Sequence, residues 1–145
     1  MSRVRGWALT AALVASGLPA GSAASAPGWN GTYRATVTAA DLRAVGTPVD
    51  IARVDAGTWT LVLADGRWTL RQAGGPYGNA VDKGDVVVSG PVADFTLTSS
   101  DGHPHHVYDG RLRWRPTAAG LRFSLVGRER EDVGGVLAAR PWARA

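Results

Sequence analysis

Residues 58–71 read TWTLVLADGRWTLR, and the alternation within them decides the fold. Trp59, Leu61 and Leu63 alternate with Thr58, Thr60 and Val62. In an extended strand successive side chains point to opposite faces, so this pattern buries one face and leaves the other to solvent. Asp65-Gly66 is a favoured two-residue hairpin turn, because both residues tolerate a positive φ. Trp68 and Leu70 then resume the alternation. The stretch predicts a β-hairpin with one apolar face.

The same reading extends in both directions. Upstream, Asn30–Thr38 forms a strand. Ala39–Ala44 follows as one short helix, with Gly46 and Pro48 as its stops. Downstream, Gly74-Gly75-Pro76-Tyr77-Gly78 is a glycine-rich connection. Asp82-Lys83-Gly84-Asp85 is expected to turn between short strands at Tyr77–Val81 and Val86–Ser89. Phe95 and Leu97 alternate with polar neighbours, and Asp101-Gly102 turns the chain again. A long strand is expected from about His106 to Arg115. Leu121, Phe123 and Leu125 mark the next one. A charged loop at Arg128–Asp132 and Gly134-Gly135 precede an expected last strand, Val136–Arg140, ending at Pro141-Trp142.

Eight or nine short strands joined by tight turns fit either a sandwich or a barrel. Successive hairpins without a long crossover favour the barrel, because closure removes unpaired edges. The fold expected is all-β: a single up-and-down antiparallel barrel of about eight strands, with one short helix after the first.

The N-terminus carries a different signal. Arg3 and Arg5 are followed by an apolar stretch from Trp7 to Leu18 and by Ala24-Ser25-Ala26, a small-residue cleavage site. This is the tripartite pattern of a secretory leader. The apolar stretch is shorter than the roughly 20 residues of a spanning helix. Residues 1–26 are therefore expected to be a signal peptide, and residues 27–145 a secreted domain that does not span the membrane.

Composition excludes several classes of function. The net charge of +4 falls to +2 when Arg3 and Arg5 leave with the leader. Such a balance, with acids interspersed, argues against a nucleic-acid partner. The chain has no cysteine, hence no disulfide, and a domain of this size needs none.

The chain resembles a group of small secreted lipocalin-like β-barrel modules of high-GC bacteria, also found attached to extracellular solute-binding proteins. The resemblance is carried by Trp29-Asn30-Gly31-Thr32-Tyr33-Arg34, Asp41-Leu42-Arg43 with Gly46-Thr47, and Gly57-Thr58-Trp59-Thr60-Leu61. Asp65-Gly66-Arg67-Trp68, Gly84-Asp85, Leu112-Arg113-Trp114 and Arg140-Pro141-Trp142 complete it. It implies a barrel in an extracellular setting and no established ligand. True lipocalins carry Gly-x-Trp on the first strand, where the indole plugs the barrel beneath an arginine of the last strand. Here the first strand has Gly31-Thr32-Tyr33. The resemblance implies that Tyr33 or Trp29 with Arg140 makes the analogous plug.

The inward-facing aromatic residues are the candidate site. Tyr33, Trp59, Trp68, Phe95, Trp114 and Phe123 are expected to line the interior and to bury a small apolar or amphipathic ligand. The alternative is that these rings fill the barrel and that loops, notably Gly74–Asp82 and Arg128–Gly135, dock an extracellular protein. His103, His105 and His106 are metal-like in type. Neighbouring strand residues face opposite sides, however, so no metal is expected there. Arg111, Arg113 and Arg115 share one strand face, with Arg122 across from it, as an anion patch or a solvated surface. No catalytic constellation is present. The glycine-rich segment lacks phosphate-loop spacing, and Ser89, Ser99, Ser100 and Ser124 sit in ordinary turn or strand contexts. No enzyme activity and no cofactor are expected.

Overall fold

The computed structural model describes residues 28–76, 79–101, 109–127 and 132–145. The expected leader, Tyr77, the histidine run and most of the charged loop, Arg128–Glu131, lie outside the described residues.

Eight antiparallel strands close into a barrel in the order β1 to β8. They are β1 (Gly31–Val37), β2 (Gly57–Ala64), β3 (Arg67–Ala73), β4 (Val81–Ser89), β5 (Val92–Asp101), β6 (Asp109–Pro116), β7 (Gly120–Leu125) and β8 (Trp142–Arg144). β1 pairs with β8 to complete the ring. The β2–β3 hairpin has the register read from its sequence, with Leu61 opposite Leu70 and Leu63 opposite Trp68. All four side chains are buried. Asp65 takes a φ of 50° and Gly66 one of 77°, as a two-residue hairpin turn demands.

Three helices, not one, sit at a single end of the barrel: α1 (Ala39–Ala44) and α2 (Val49–Asp55) between β1 and β2, and α3 (Asp132–Ala139) between β7 and β8. Helix α1 opens on a reciprocal cap. The Asp41 amide donates to Thr38 Oγ1 at 3.1 Å, and the Thr38 amide donates to Asp41 Oδ2 at 2.9 Å. Pro48, expected to stop a helix, instead starts α2 from its N-cap position, where a missing amide proton costs nothing.

Two further expectations are corrected. Val136–Arg140 is not the last strand. Residues 133–139 are buried without alternation, and they form most of α3 against the barrel end. Gly135 makes that packing possible. A Cβ on Gly135 would stand 2.6 Å from Thr47 Oγ1, so only glycine lets α3 approach the α1–α2 connection. The strand count survives because Trp142–Arg144 supplies β8.

Asp82-Lys83-Gly84-Asp85 is not a turn either. β4 runs through it, with a register shift between Lys83 and Gly84. A Cβ on Gly84 would overlap the Thr96 carbonyl oxygen and stand 2.6 Å from the Trp68 indole nitrogen. This glycine serves close strand approach beneath a buried ring, not chain reversal.

Candidate functional site

The antiparallel order gives the barrel two unlike ends. At the helix end, side chains rising from the barrel meet the C-termini of the helices. Trp59 Nε1 donates to the Asp55 carbonyl at 2.8 Å, and Trp142 Nε1 donates to the Leu137 carbonyl at 2.9 Å. Gln72 Nε2 donates to the Val54 and Ala56 carbonyls at 2.9 and 3.2 Å. The last carbonyls of a helix lack intrahelical partners, and here buried barrel side chains supply them.

The opposite end is closed by a short strap, Gly28-Trp29-Asn30, that precedes β1. Trp29 is 1% exposed. Its ring meets Trp114 at 4.9 Å and Phe123 at 6.0 Å between centroids, both edge-on, and a tilted Phe95 at 6.4 Å. These spacings are those of favourable aromatic pairs. The strap is clasped from β1 and β8. Tyr33 Oη lies 2.6 Å from the Gly28 carbonyl and 2.9 Å from the Trp29 carbonyl, and donates to this pair. The Arg144 guanidinium donates to the Gly28 carbonyl at 3.0 Å, to the Asn30 carbonyl at 3.3 Å and to Tyr33 Oη at 2.9 Å. It also lies 5.1 Å from the centre of the Tyr33 ring. Burial pushes the Tyr33 phenol above its ordinary pKa, against the opposing pull of the Arg144 charge and hydrogen bond.

The arginine of the plug is therefore Arg144, not Arg140. Arg140 lies outside, 3.6 Å from Asp41. The spacing alone does not separate the two, since Arg140 and Arg144 both stand two residues from Trp142; β8 begins at Trp142, so only Arg144 is on the strand.

Of the six predicted ligand-binding residues, five gather at or towards the strap end. Phe95, Trp114 and Phe123 touch the Trp29 ring, Tyr33 holds the strap, and Trp68 packs on Phe95 at 5.7 Å. Trp59 stands apart beneath α2. Trp29 occupies the space among three of those residues, where a ligand was expected. Tyr33, Trp59, Trp68, Phe95 and Phe123 are at most 1% exposed, and Trp114 is 9% exposed. Only Trp114 among them reaches a recess, from the outside. Trp68 and Trp114 also use their indole protons internally, on the Thr96 and Gly90 carbonyls at 3.2 and 2.9 Å.

Two recesses among the described residues open at the surface of the barrel. One of about 290 Å³ adjoins the strap, between Gly28, Arg144 and the β6–β7 turn at Thr117–Ala119. Another of about 450 Å³ is lined by Pro91, Arg113, Trp114, Arg115, Arg122 and Ser124. Among the described residues no three His, Asp or Glu side chains stand together as a metal site. No helix among them is long and apolar enough to cross a membrane.

Comparison with protein-family models, with curated proteins and with solved structures finds no match to this chain.

Proposed function

We propose that this protein is a secreted, non-catalytic β-barrel that recognises its partner with its outer surface, its interior being taken up by its own aromatic side chains. One observation carries this reading: the Trp29 indole sits against Phe95, Trp114 and Phe123, and the six interior aromatic residues are almost without accessible surface. Eight-stranded barrels have room for side chains alone or for one small ligand. Here the side chains take that room. Secretion rests on the leader pattern of residues 1–26. The test is native mass spectrometry of the protein recovered from the medium of its own host. The expected result is a bare mass matching the processed sequence. An apolar adduct without a phosphoryl group that leaves on denaturation would overturn the filled interior.

A second reading is favoured by one specific feature. Trp29 rides on the strap that precedes β1 and not on a strand. Withdrawal of the strap would uncover Phe95, Trp114, Phe123 and Tyr33 without breaking a strand pair. In this reading the interior holds a small apolar or amphipathic ligand, which takes the place of the indole. Titration with a panel of fatty acids and planar aromatic compounds, followed by tryptophan emission and thermal stability, separates the two. A shift in both signals supports the ligand, and a flat response supports the filled barrel.

A further inference from the structure

The outer face of β6 and β7 distributes its charge unevenly. Arg111, Arg113 and Arg115 all point outward from β6, where Leu112 and Trp114 point in. Arg111 is neutralised: its Nε and Nη2 donate to the two carboxylate oxygens of Asp94, at 2.7 and 3.3 Å. The other three arginines of this face are not. Arg113 lies opposite Ser124, and Arg115 lies directly opposite Arg122. Among the described residues none of Arg113, Arg115 and Arg122 is in ion-pair contact with a carboxylate.

Directly opposed residues of an antiparallel pair have their Cβ atoms about 4.5–5.5 Å apart, and like charges in that position repel. Arg113 is two residues from Arg115, about 7 Å along the same strand. Three guanidinium groups are thus crowded onto one small area of a domain whose overall charge is slight. They border the cleft of about 450 Å³ whose remaining lining is Pro91, Trp114 and Ser124. A planar guanidinium offers paired N–H donors that match two oxygens of one oxyanion, and Ser124 adds a hydroxyl. A single carboxylate would leave most of this charge unanswered, whereas a phosphoryl group carries several anionic oxygens.

We propose that this cleft binds a phosphoryl-type oxyanion carried on a larger extracellular molecule. The proposal rests on the outer-surface reading above and gives that surface its ligand chemistry. The Arg115–Arg122 repulsion is the feature that the anion relieves.

Inorganic pyrophosphate is the probe, titrated calorimetrically at low ionic strength, where surface charge is least screened. The protein is compared with R115Q/R122Q and with R71Q, whose exposed arginine stands on β3, across the barrel. Saturable binding to one site is expected. It should weaken by at least about tenfold in R115Q/R122Q, the loss expected from removing one charge-assisted hydrogen bond or more, and by less than about twofold in R71Q. Pyrophosphate should also raise Tm in the protein and in R71Q but not in R115Q/R122Q, which confirms that the double variant is folded and has lost only the site. Co-sedimentation with phosphatidylglycerol vesicles that the double variant abolishes would assign the phosphoryl group to a membrane headgroup. Pyrophosphate binding without vesicle binding would assign it to a soluble or polymeric phosphate. Absence of saturable binding, or equal weakening in R71Q, would overturn the proposal. That result would leave the filled interior standing, whereas an apolar adduct without a phosphoryl group in the native mass spectrum would overturn the filled interior and leave the cleft untouched.

Discussion

Replacing Trp29 by alanine puts the filled interior to its most direct test. The indole is 1% exposed and meets three rings at 4.9, 6.0 and 6.4 Å. Truncating a buried tryptophan to alanine costs about 3–5 kcal/mol, from lost transfer energy and the cavity left behind. Three aromatic contacts, each worth about 0.5–1.5 kcal/mol beyond burial, place Trp29 in the upper part of that range. Urea unfolding followed by circular dichroism should show the midpoint fall at unchanged slope, and Tm should drop by roughly 10–20 °C. The cavity should also accept indole: at about ten times its Kd, added indole should return about 1.4 kcal/mol to W29A and nothing to the parent protein. A loss below about 1 kcal/mol would refute the reasoning. It would mean that the strap is lifted almost without cost, and the interior would then have to be treated as a ligand site that the strap covers.

The remaining predictions concern the clasp and two of the glycines that set close approaches. Arg144→Gln removes three donated hydrogen bonds and should cost about 1–2 kcal/mol; it should also move the Tyr33 phenol further up, read from phenolate absorbance, because only burial then acts on it. The raised phenol has a sign for stability as well: its contribution is complete below a free tyrosine's pKa of about 10 and is lost as pH climbs from there through the Tyr33 value, so alkaline unfolding should flatten in Tyr33→Phe. Gly84→Ala forces a methyl into the Thr96 carbonyl beneath the Trp68 indole and should cost about 3 kcal/mol or more, measured by urea unfolding. Gly135→Ala should destabilise by about 1–3 kcal/mol. Because the atom it meets is Thr47 Oγ1, at 2.6 Å, adding Thr47→Ala should give a double variant more stable than the sum of the single changes by at least about 0.5 kcal/mol.

The barrel was legible in the sequence wherever one face of a strand is buried and the other wet. Trp59, Leu61, Leu63, Trp68, Leu70, Phe95, Leu112, Trp114, Leu121 and Phe123 all alternate, and all are buried. The reading failed where that physical condition fails. Helix α3 is buried along residues 133–139, so it shows neither a period of two nor a polar face to betray 3.6. Asp82-Lys83-Gly84-Asp85 has turn composition, but the glycine answers a close approach to Thr96, a partner 12 positions away whose pairing no local pattern reports. Helix α2 was hidden by Pro48, which ends one helix and begins the next with equal ease. The candidate site was legible as a set of rings. Its occupant was offered only by the resemblance, as one of two plug candidates, because Trp29 precedes the first strand and carries no periodicity to point it inward.

The unlike construction of the two ends also decides where the interior could open. At the helix end, Trp59, Gln72 and Trp142 are buried donors tied to the carbonyls that end α2 and α3. Moving the helices aside would separate these pairs and uncover Leu42, Val136 and Leu137 as well. A buried group that loses its partner costs about 1–3 kcal/mol, so that end is closed by several such costs acting together. At the strap end no strand pair has to break. The strap carbonyls are held by Arg144, an exposed residue, and by the buried Tyr33 hydroxyl; on leaving they would meet water, and the Tyr33 hydroxyl, uncovered as the strap lifts and still bonded to Arg144, would meet it too. The main cost there is the uncovering of one indole and of the rings it covers. Any molecule that reaches Phe95 and Phe123 must therefore come past Gly28 and Arg144 and must replace an indole in shape and apolarity. An anion held at Arg113, Arg115 and Arg122 stays outside the wall, and Trp114 is the residue through which the two sites adjoin.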